Sequence, residues 1–286
     1  MSSITLNAPA KINLYLDVTS KRSDGYHNIS TIFQKLALYD KIRVRTIDGK
    51  GISLNCKYPH IPQGRENLAY KSAELLLNEY NISSGVKIDI IKNIPTAAGL
   101  GGGSSDAASV MLAMDRLFNL NIPSKKLISL AKTIGADVPF FVSGHKCALG
   151  KGIGDRLSEI KSNQSFYILL ILPNLRIYTK TIYSKISFPL TKPPANVNII
   201  SRILAGSTDI NTVYKSIFNR LEEVVLPIYP RVRKVKEMLS LHTKGALLSG
   251  SGPTIFGLFS KRKEAMRARD RIQDSGNWRL LLTKTA

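Results

Sequence analysis

The chain predicts an α+β fold in two domains, and three observations carry that expectation. Alternating β-branched runs are interspersed with stretches whose apolar residues recur at helical spacing, so strands and helices share the chain. At 286 residues it is long enough for one large or two modest domains with a real core. A polar stretch, Ser158 to Ser165, separates an earlier strand-and-helix half from the apolar run Phe166–Leu172. The boundary is therefore expected near residue 160, giving domains 1–160 and 161–286.

Residues 4–18, 26–39 and 41–55 read as strands, with Asp48-Gly-Lys-Gly51 as a turn. The stretch Glu66–Tyr80 places Leu68, Ala69, Ala73, Leu76 and Tyr80 on one side of a helix. Val86–Ile91 alternates and is β-branched, a strand, and after it Ala107, Met111, Met114 and Phe118 mark another helix. Ser124–Ile134 follows as a helix, with Pro123 and Ser124 fitting its start and Gly135 its end. Gly144–Asp155 reads as a strand and turn. The second half reads as strand 166–172, helices near 179–186, 196–205, 211–226 and 230–241, strand 245–249, strand 254–259, helix 261–274 and strand 278–283. The Pro-rich stretch 189–194 is a loop or linker, and no internal repeat is visible.

Composition narrows the class. With 43% apolar and 21% charged residues the chain reads as soluble and globular. Its longest apolar run is too short to cross a bilayer, and the N-terminus enters a strand pattern at once, with no signal or transit segment, so a cytoplasmic location without membrane contact is expected. Cys56 and Cys147 lack any metal-type spacing and read as buried small hydrophobes. The net charge of +21 permits nucleic-acid binding, with Lys261-Arg-Lys263, Arg267, Arg269 and Arg271 as a basic helix face. Aromatics are not interleaved with the basic clusters and no known nucleic-acid module appears, while a basic surface also attracts small polyanions such as nucleotides, so the charge permits both partners and decides for neither.

The run Pro95 to Ala108 carries the clearest chemistry. Four glycines, two serines and Leu100 fill the seven positions 99–105, between a strand and a helix. Glycine lets backbone N–H groups turn inward, and a helix N-terminus adds its positive dipole end, which together make an anion cradle. The alternative is a flexible surface loop. It has no Gly-Lys-Ser/Thr ending and no ribose-binding acid downstream, which sets aside the P-loop and the Rossmann fingerprint.

Ala8-Pro-Ala-Lys-Ile-Asn-Leu14, Pro95–Ala108 and Gly245–Phe256, in that order, resemble the GHMP kinase superfamily nearly end to end. The resemblance implies a fold with an N-terminal domain shared with a ribosomal protein, a C-terminal α/β domain, and an active site in the cleft between them. It also implies ATP with Mg²⁺ as phosphoryl donor and a small-molecule alcohol as acceptor. Arg22-Ser-Asp-Gly-Tyr-His27 and Gly135-Ala-Asp-Val-Pro-Phe-Phe141 resemble the branch acting on the 2-hydroxyl of 4-diphosphocytidyl-2-C-methyl-D-erythritol, a step of the non-mevalonate route to isoprenoids. Homoserine, mevalonate and sugars are the alternative acceptors.

Site roles follow from the same resemblance. Asp137 matches the base and Lys11 its cationic partner; from the residues alone, a turn carboxylate and a solvated strand lysine remain open. Pro139 biases Val138 away from α conformation, so Asp137 is expected in an irregular, accessible segment. Pro95, Gly99, Leu100, Gly101, Gly102, Gly103, Ser104 and Ser105 would form the phosphate cradle, with both serine hydroxyls donating to phosphate. Asn67, Lys92 and Asp106 match positions lining the adenine pocket. Tyr26 and His27 match a cytosine-stacking and edge-reading pair. Thr179 and Tyr183 match the opposite wall, and Asn13 a substrate-orienting amide. Gly250, Ser251 and Gly252 would approach the substrate, or make a plain hairpin turn. No paired carboxylates of the usual nucleotide-metal kind are visible, so no residue is named as a metal ligand.

Overall fold

The structure is a computed structural model that describes residues 2–162, 164–187, 190, 196–206 and 209–286. The chain forms β1 (Ser3–Lys21), β2 (His27–Ile47), β3 (Ile52–Cys56), α1 (Leu68–Glu79), β4 (Gly85–Ile91), α2 (Gly102–Leu117), α3 (Ser124–Ile134), α4 (Val138–Val142), β5 (Cys147–Gly152) and β6 (Arg156–Glu159). It continues through β7 (Tyr167–Pro173), α5 (Thr179–Ser184), α6 (Val197–Ala205), α7 (Ile210–Tyr214), β8 (Phe218–Asn219), α8 (Glu222–Ile228), α9 (Pro230–Ser240), β9 (Ala246–Leu248), β10 (Ile255–Phe259), α10 (Arg262–Ile272) and β11 (Trp278–Lys284). The expected α+β mixture is present. Most of the Pro-rich stretch 189–194 lies outside the described residues.

Two compact units account for these elements. The first comprises residues 1–10, 38–96 and 101–145; the second comprises 11–37, 97–100 and 146–286. β1 and β2 each give residues to both.

In the first unit β4 runs parallel to β3 and antiparallel to the Lys41–Ile47 end of β2. Helices α1 to α4 pack on one another. Their buried faces are rich in small residues, Ala69 and Ala73 on α1 and Ala107, Ala108 and Ala113 on α2, which permits close helix approach. The expected strand break at residue 40 is absent, because β2 continues through Asp40 to Ile47. Asp40, left between the two expected strands, is fully buried and spends its carboxylate on the backbone of Asn93 and Ile94. The turn at 48–51 is as expected, with Gly49 at φ 81° and Gly51 at φ 101°.

In the second unit β7, β9, β10 and β11 form an antiparallel sheet in the order β11-β7-β10-β9. Its core gathers Leu169 and Ile171 of β7, Ile255 of β10, Val225 of α8, Val232, Val235 and Leu239 of α9, and Ala265, Ala268 and Ile272 of α10. β5 pairs with the Ile29–Gln34 part of β2, and β6, which the sequence pattern did not separate, pairs with β5. The helix expected over 211–226 is two helices with β8 between them. Phe218 and Asn219 pair parallel to Tyr15 and Leu16 of β1, and a strand partner distant in sequence overrides the helical pattern.

Cys56 and Cys147 are buried and free, and burial pushes the Cys147 thiol up to about 12. Among the described residues no helix is long and apolar enough to cross a membrane.

Candidate active site

Three separated motifs meet within the second unit. The Lys11 backbone N–H donates to the Leu100 carbonyl at 2.9 Å, which fastens β1 to the glycine loop. The Ser249 hydroxyl donates to the Gly99 carbonyl at 2.9 Å, which fastens the same loop to the Gly250–Gly252 turn. Gly99 has φ 74°, and a methyl there would run into the Ser249 carbonyl oxygen, so only glycine fits both the backbone and the space. A Cβ on Gly250 would lie 3.4 Å from Lys11 Nζ, 3.5 Å from Asn13 Oδ1 and 3.5 Å from the Gly99 carbonyl oxygen. The Gly250 backbone therefore passes beside the lysine ammonium.

That ammonium is held by a relay. Lys11 Nζ donates to Asn13 Oδ1 at 2.8 Å, Asn13 Nδ2 donates to Thr31 Oγ1 at 2.8 Å, and the Thr31 hydroxyl donates to the Tyr15 carbonyl at 2.7 Å. Lys11 and Asn13 alternate along β1 and so share one face of the strand. Both are buried, and Lys11 Nζ lies 5.7 Å from the centroid of the Phe33 ring. The solvated strand lysine is thus excluded, and the positive charge is fixed in one direction.

In the first unit Gly101, at φ 70°, precedes α2. The amides of Gly102, Gly103 and Ser104 have no carbonyl partner four residues back within the helix and carry its positive dipole end. A Cβ on Gly103 would meet nothing within 4 Å, so the helix start is open on that side. Ser104 is half-buried, whereas Ser105 is fully buried with a hydroxyl that has no partner among the described residues. Lys92 Nζ donates to both Asp40 Oδ2 and, at 2.7 Å, Asp106 Oδ2. Asn67 caps α1, accepting from the Ala69 N–H at 2.9 Å and donating to the Pro62 carbonyl at 2.8 Å. Pro95 is half-buried between Lys92 and the loop.

Asp137 lies in the first unit, immediately before α4, at φ −87° and ψ −14°. The expectation of an irregular segment is corrected here. Val138 and Pro139 form the first turn of a short helix, where the missing proline N–H costs nothing because that amide has no intrahelical partner. The Gly135 N–H donates to the Ala131 carbonyl at the end of α3, so Asp137 stands between two helix ends and is half-buried.

The residues matched to acceptor binding fall in the second unit. Arg22 to His27 form the β1–β2 turn, with Gly25 at φ 84° and the Tyr26 N–H donating to Asp24 Oδ1 at 3.1 Å. Tyr26 is 61% exposed, which leaves a ring face open to a flat partner. His27 is buried, its ring 5.4 Å from that of Tyr183 and tilted by 43°. Burial, and then the charge of Lys21, lower the His27 pKa, so the neutral imidazole offers one donor and one acceptor. The hydroxyls of Thr179 and Ser251 are 2.8 Å apart, which joins α5 to the Gly250–Gly252 turn.

Sequence reasoning missed three residues. Asp40 has been described. Thr31 closes the Lys11 relay. Asn219 Nδ2 donates to the carbonyls of Leu248 and Gly250 at 2.8 Å each and so holds the base of the Gly250 turn. A polar residue inside an apolar strand was the only available signal for the first two. Among the described residues no group of three or more His, Cys, Asp or Glu is placed to hold a metal ion.

The chain belongs to the GHMP kinases: residues 67–145 match the model of the GHMP kinases N terminal domain and residues 201–277 that of the GHMP kinases C terminal domain. Kinases of this family use ATP, which makes ATP the phosphoryl donor. Within the family, the protein of Acetivibrio thermocellus named 4-diphosphocytidyl-2-C-methyl-D-erythritol kinase is 40% identical over 287 residues, covering 100% of both chains. The protein of that name from Geobacter metallireducens is 41% identical, covering 97% of each. A crystal structure of 4-(cytidine 5'-diphospho)-2C-methyl-D-erythritol kinase superposes with a TM-score of 0.82 at 34% identity, covering 99% of this chain and 100% of that one. A homoserine kinase from Cytophaga hutchinsonii shares the fold, with a TM-score of 0.77 at 18% identity, covering 100% of this chain and 95% of that one.

Proposed function

We propose that the protein transfers the γ-phosphoryl group of ATP to the 2-hydroxyl of 4-diphosphocytidyl-2-C-methyl-D-erythritol, giving the 2-phosphate and ADP. The observation that carries this reading is the meeting of Lys11, Gly99 and Gly250 at one point, in a chain similar over its full length to kinases named for that acceptor. The reaction is the corresponding step of the non-mevalonate route, and its place is the cytoplasm.

Phosphoryl transfer to an alcohol needs a cradle for the triphosphate, relief of developing charge, and removal of the hydroxyl proton. The amides that open α2, with the Ser104 hydroxyl, supply the cradle, and Gly99, Leu100 and Gly101 shape its approach. ATP enters as its magnesium complex, with the metal carried on the phosphates as part of the substrate. Asp137 accepts the proton of the acceptor hydroxyl. The resulting oxygen attacks the γ-phosphorus, and the bond from that phosphorus to the bridging β-oxygen breaks to release ADP. Lys11, oriented through Asn13 and Thr31, offsets the negative charge that builds during transfer. Tyr26 stacks on the cytosine and His27 reads its edge; Tyr183, Thr179, Ser251 and Gly252 complete the acceptor's surroundings. Asn67, Lys92 and Asp106 belong to the adenine side.

A coupled ADP-release assay over a panel of acceptors tests the reading. Turnover is expected with the cytidylyl acceptor and not with homoserine or mevalonate. Turnover with either of the latter instead would replace the acceptor assigned here.

A further inference from the structure

Asp40 has no role in the reaction just described, yet its surroundings are those of a functional group. It is fully buried, and one carboxylate oxygen accepts the backbone N–H groups of Asn93, at 2.6 Å, and Ile94, at 2.8 Å. The other oxygen accepts from Lys92 Nζ, whose side chain is 3% exposed and which also reaches Asp106 Oδ2 at 2.7 Å. These partners bracket the glycine loop. Lys92, Asn93 and Ile94 lead directly into Pro95, and Asp106 is the fifth residue of α2, which ends the loop. A Cβ on Gly102, the first residue of that helix, would stand 3.2 Å from Lys92 Nζ and 3.1 Å from Ile94 Cγ2, so the helix start rests on the same cluster.

The geometry points to Asp40 as a positioning residue for the phosphate loop: through Lys92 and Asp106 it fixes both ends of the loop and thereby sets affinity for the triphosphate without touching it. The inference rests on the kinase reading above, in which the start of α2 receives the phosphates.

The cluster's charge makes the role visible. Two carboxylates face one ammonium, and Asp106 Oδ1 has no hydrogen-bond partner among the described residues. Burial, with a contribution from Asp40, raises the Asp106 pKa to about 7, while its carboxylate partners keep Lys92 charged. The Cys56 thiol of β3 lies within the field of all three charges, and burial pushes its pKa up. Below about 7 Asp106 holds a proton and the cluster is neutral; above it a surplus negative charge stands under the helix start and opposes phosphate binding. Asp40→Asn keeps an acceptor for the two backbone amides and removes one charge. It leaves a neutral Lys92–Asp106 pair with a lower Asp106 pKa.

Calorimetric binding of magnesium-ATP between about pH 6 and 8.5, for the wild type and Asp40→Asn, provides the test. Comparing the two proteins at each pH cancels the nucleotide's own titration. Wild-type affinity is expected to fall relative to the variant as pH rises through about 7. Asp40→Ala, which also removes the backbone acceptor, is expected to bind at least about tenfold more weakly at every pH with acceptor KM unchanged. Parallel profiles for wild type and Asp40→Asn would overturn the inference, and do so even if Asp40→Ala does not fold. Amide exchange in nucleotide-free protein separates this from the kinase reading: Asn93, Ile94 and Ser105, whose N–H donates to the Gly101 carbonyl at 2.9 Å, should exchange faster in a folded Asp40→Ala variant. Unchanged exchange there sinks the clamp whatever ATP does, whereas wild type that ignores ATP while the variant's exchange accelerates sinks only the kinase reading.

Discussion

The ammonium of Lys11 donates to Asn13, which Thr31 holds in turn, so neutral groups of β1 and β2 orient the charge. In the mechanism proposed above Asp137 has the complementary task, and removing only its basicity separates the two. Asp137→Asn should lower kcat by about 10²–10⁴-fold while the ATP dissociation constant stays near the wild-type value, read by single-turnover kinetics and direct nucleotide binding. At the acceptor, truncating the exposed ring by Tyr26→Ala should raise the acceptor KM by about 5- to 150-fold, the equivalent of one lost stacked base at about 1–3 kcal/mol, with kcat little changed. His27 adds a pH signature. Its pKa is lowered from 6.5 by burial, so the neutral ring persists to more acid pH than a free histidine's would. The acceptor KM should therefore be flat above pH 6.5 and rise only below it, and an increase that starts at higher pH would remove His27 from base reading.

At the scale of elements, the Gly250 turn depends on a residue outside it. Asn219 ties the Gly250 carbonyl and that of Leu248 at the end of β9, and also accepts the Leu221 N–H at 2.9 Å. Asn219→Ala should cost about 1–3 kcal/mol in urea unfolding, because it leaves buried groups unpaired, and should slow turnover as the turn loosens beside Lys11. Elements with local punctuation were legible in the sequence. The helix Ser124–Ile134 has the bounds expected of it, since Pro123 and Gly135 mark its ends in the chain itself. Elements decided by distant partners were not. β8 exists because β1 accepts it, and a window around Phe218 sees only helical spacing. Asp40 looks like a break between two strands until Asn93 and Ile94, more than fifty positions away, are placed against it. The candidate site divides along the same line: loop and turn glycines announce themselves, while Thr31, Asn219 and Asp40 are recognised only by what they touch.

For the whole molecule, a net charge of +21 means that compaction works against self-repulsion. Adding salt shortens the reach of that repulsion to about 3 Å at 1 M, so the urea midpoint should rise as sodium chloride increases from low millimolar to about 0.5 M. A midpoint that falls with salt would mean that attractive ion pairs, such as Arg220 with Asp17 and Glu223, outweigh the excess. No local pattern in the sequence shows which of these balances prevails, because repulsion is a property of the folded surface as a whole. The path of the chain has a further effect on synthesis. Leu36 bridges to Thr285, and the Ala286 N–H donates to the Lys35 carbonyl at 3.0 Å. During translation the early strand carrying Lys35 and Leu36 must wait some 250 residues for these partners. A nascent chain therefore holds part of an unsatisfied strand edge while those residues are added, the interval in which a chaperone would have the most to protect.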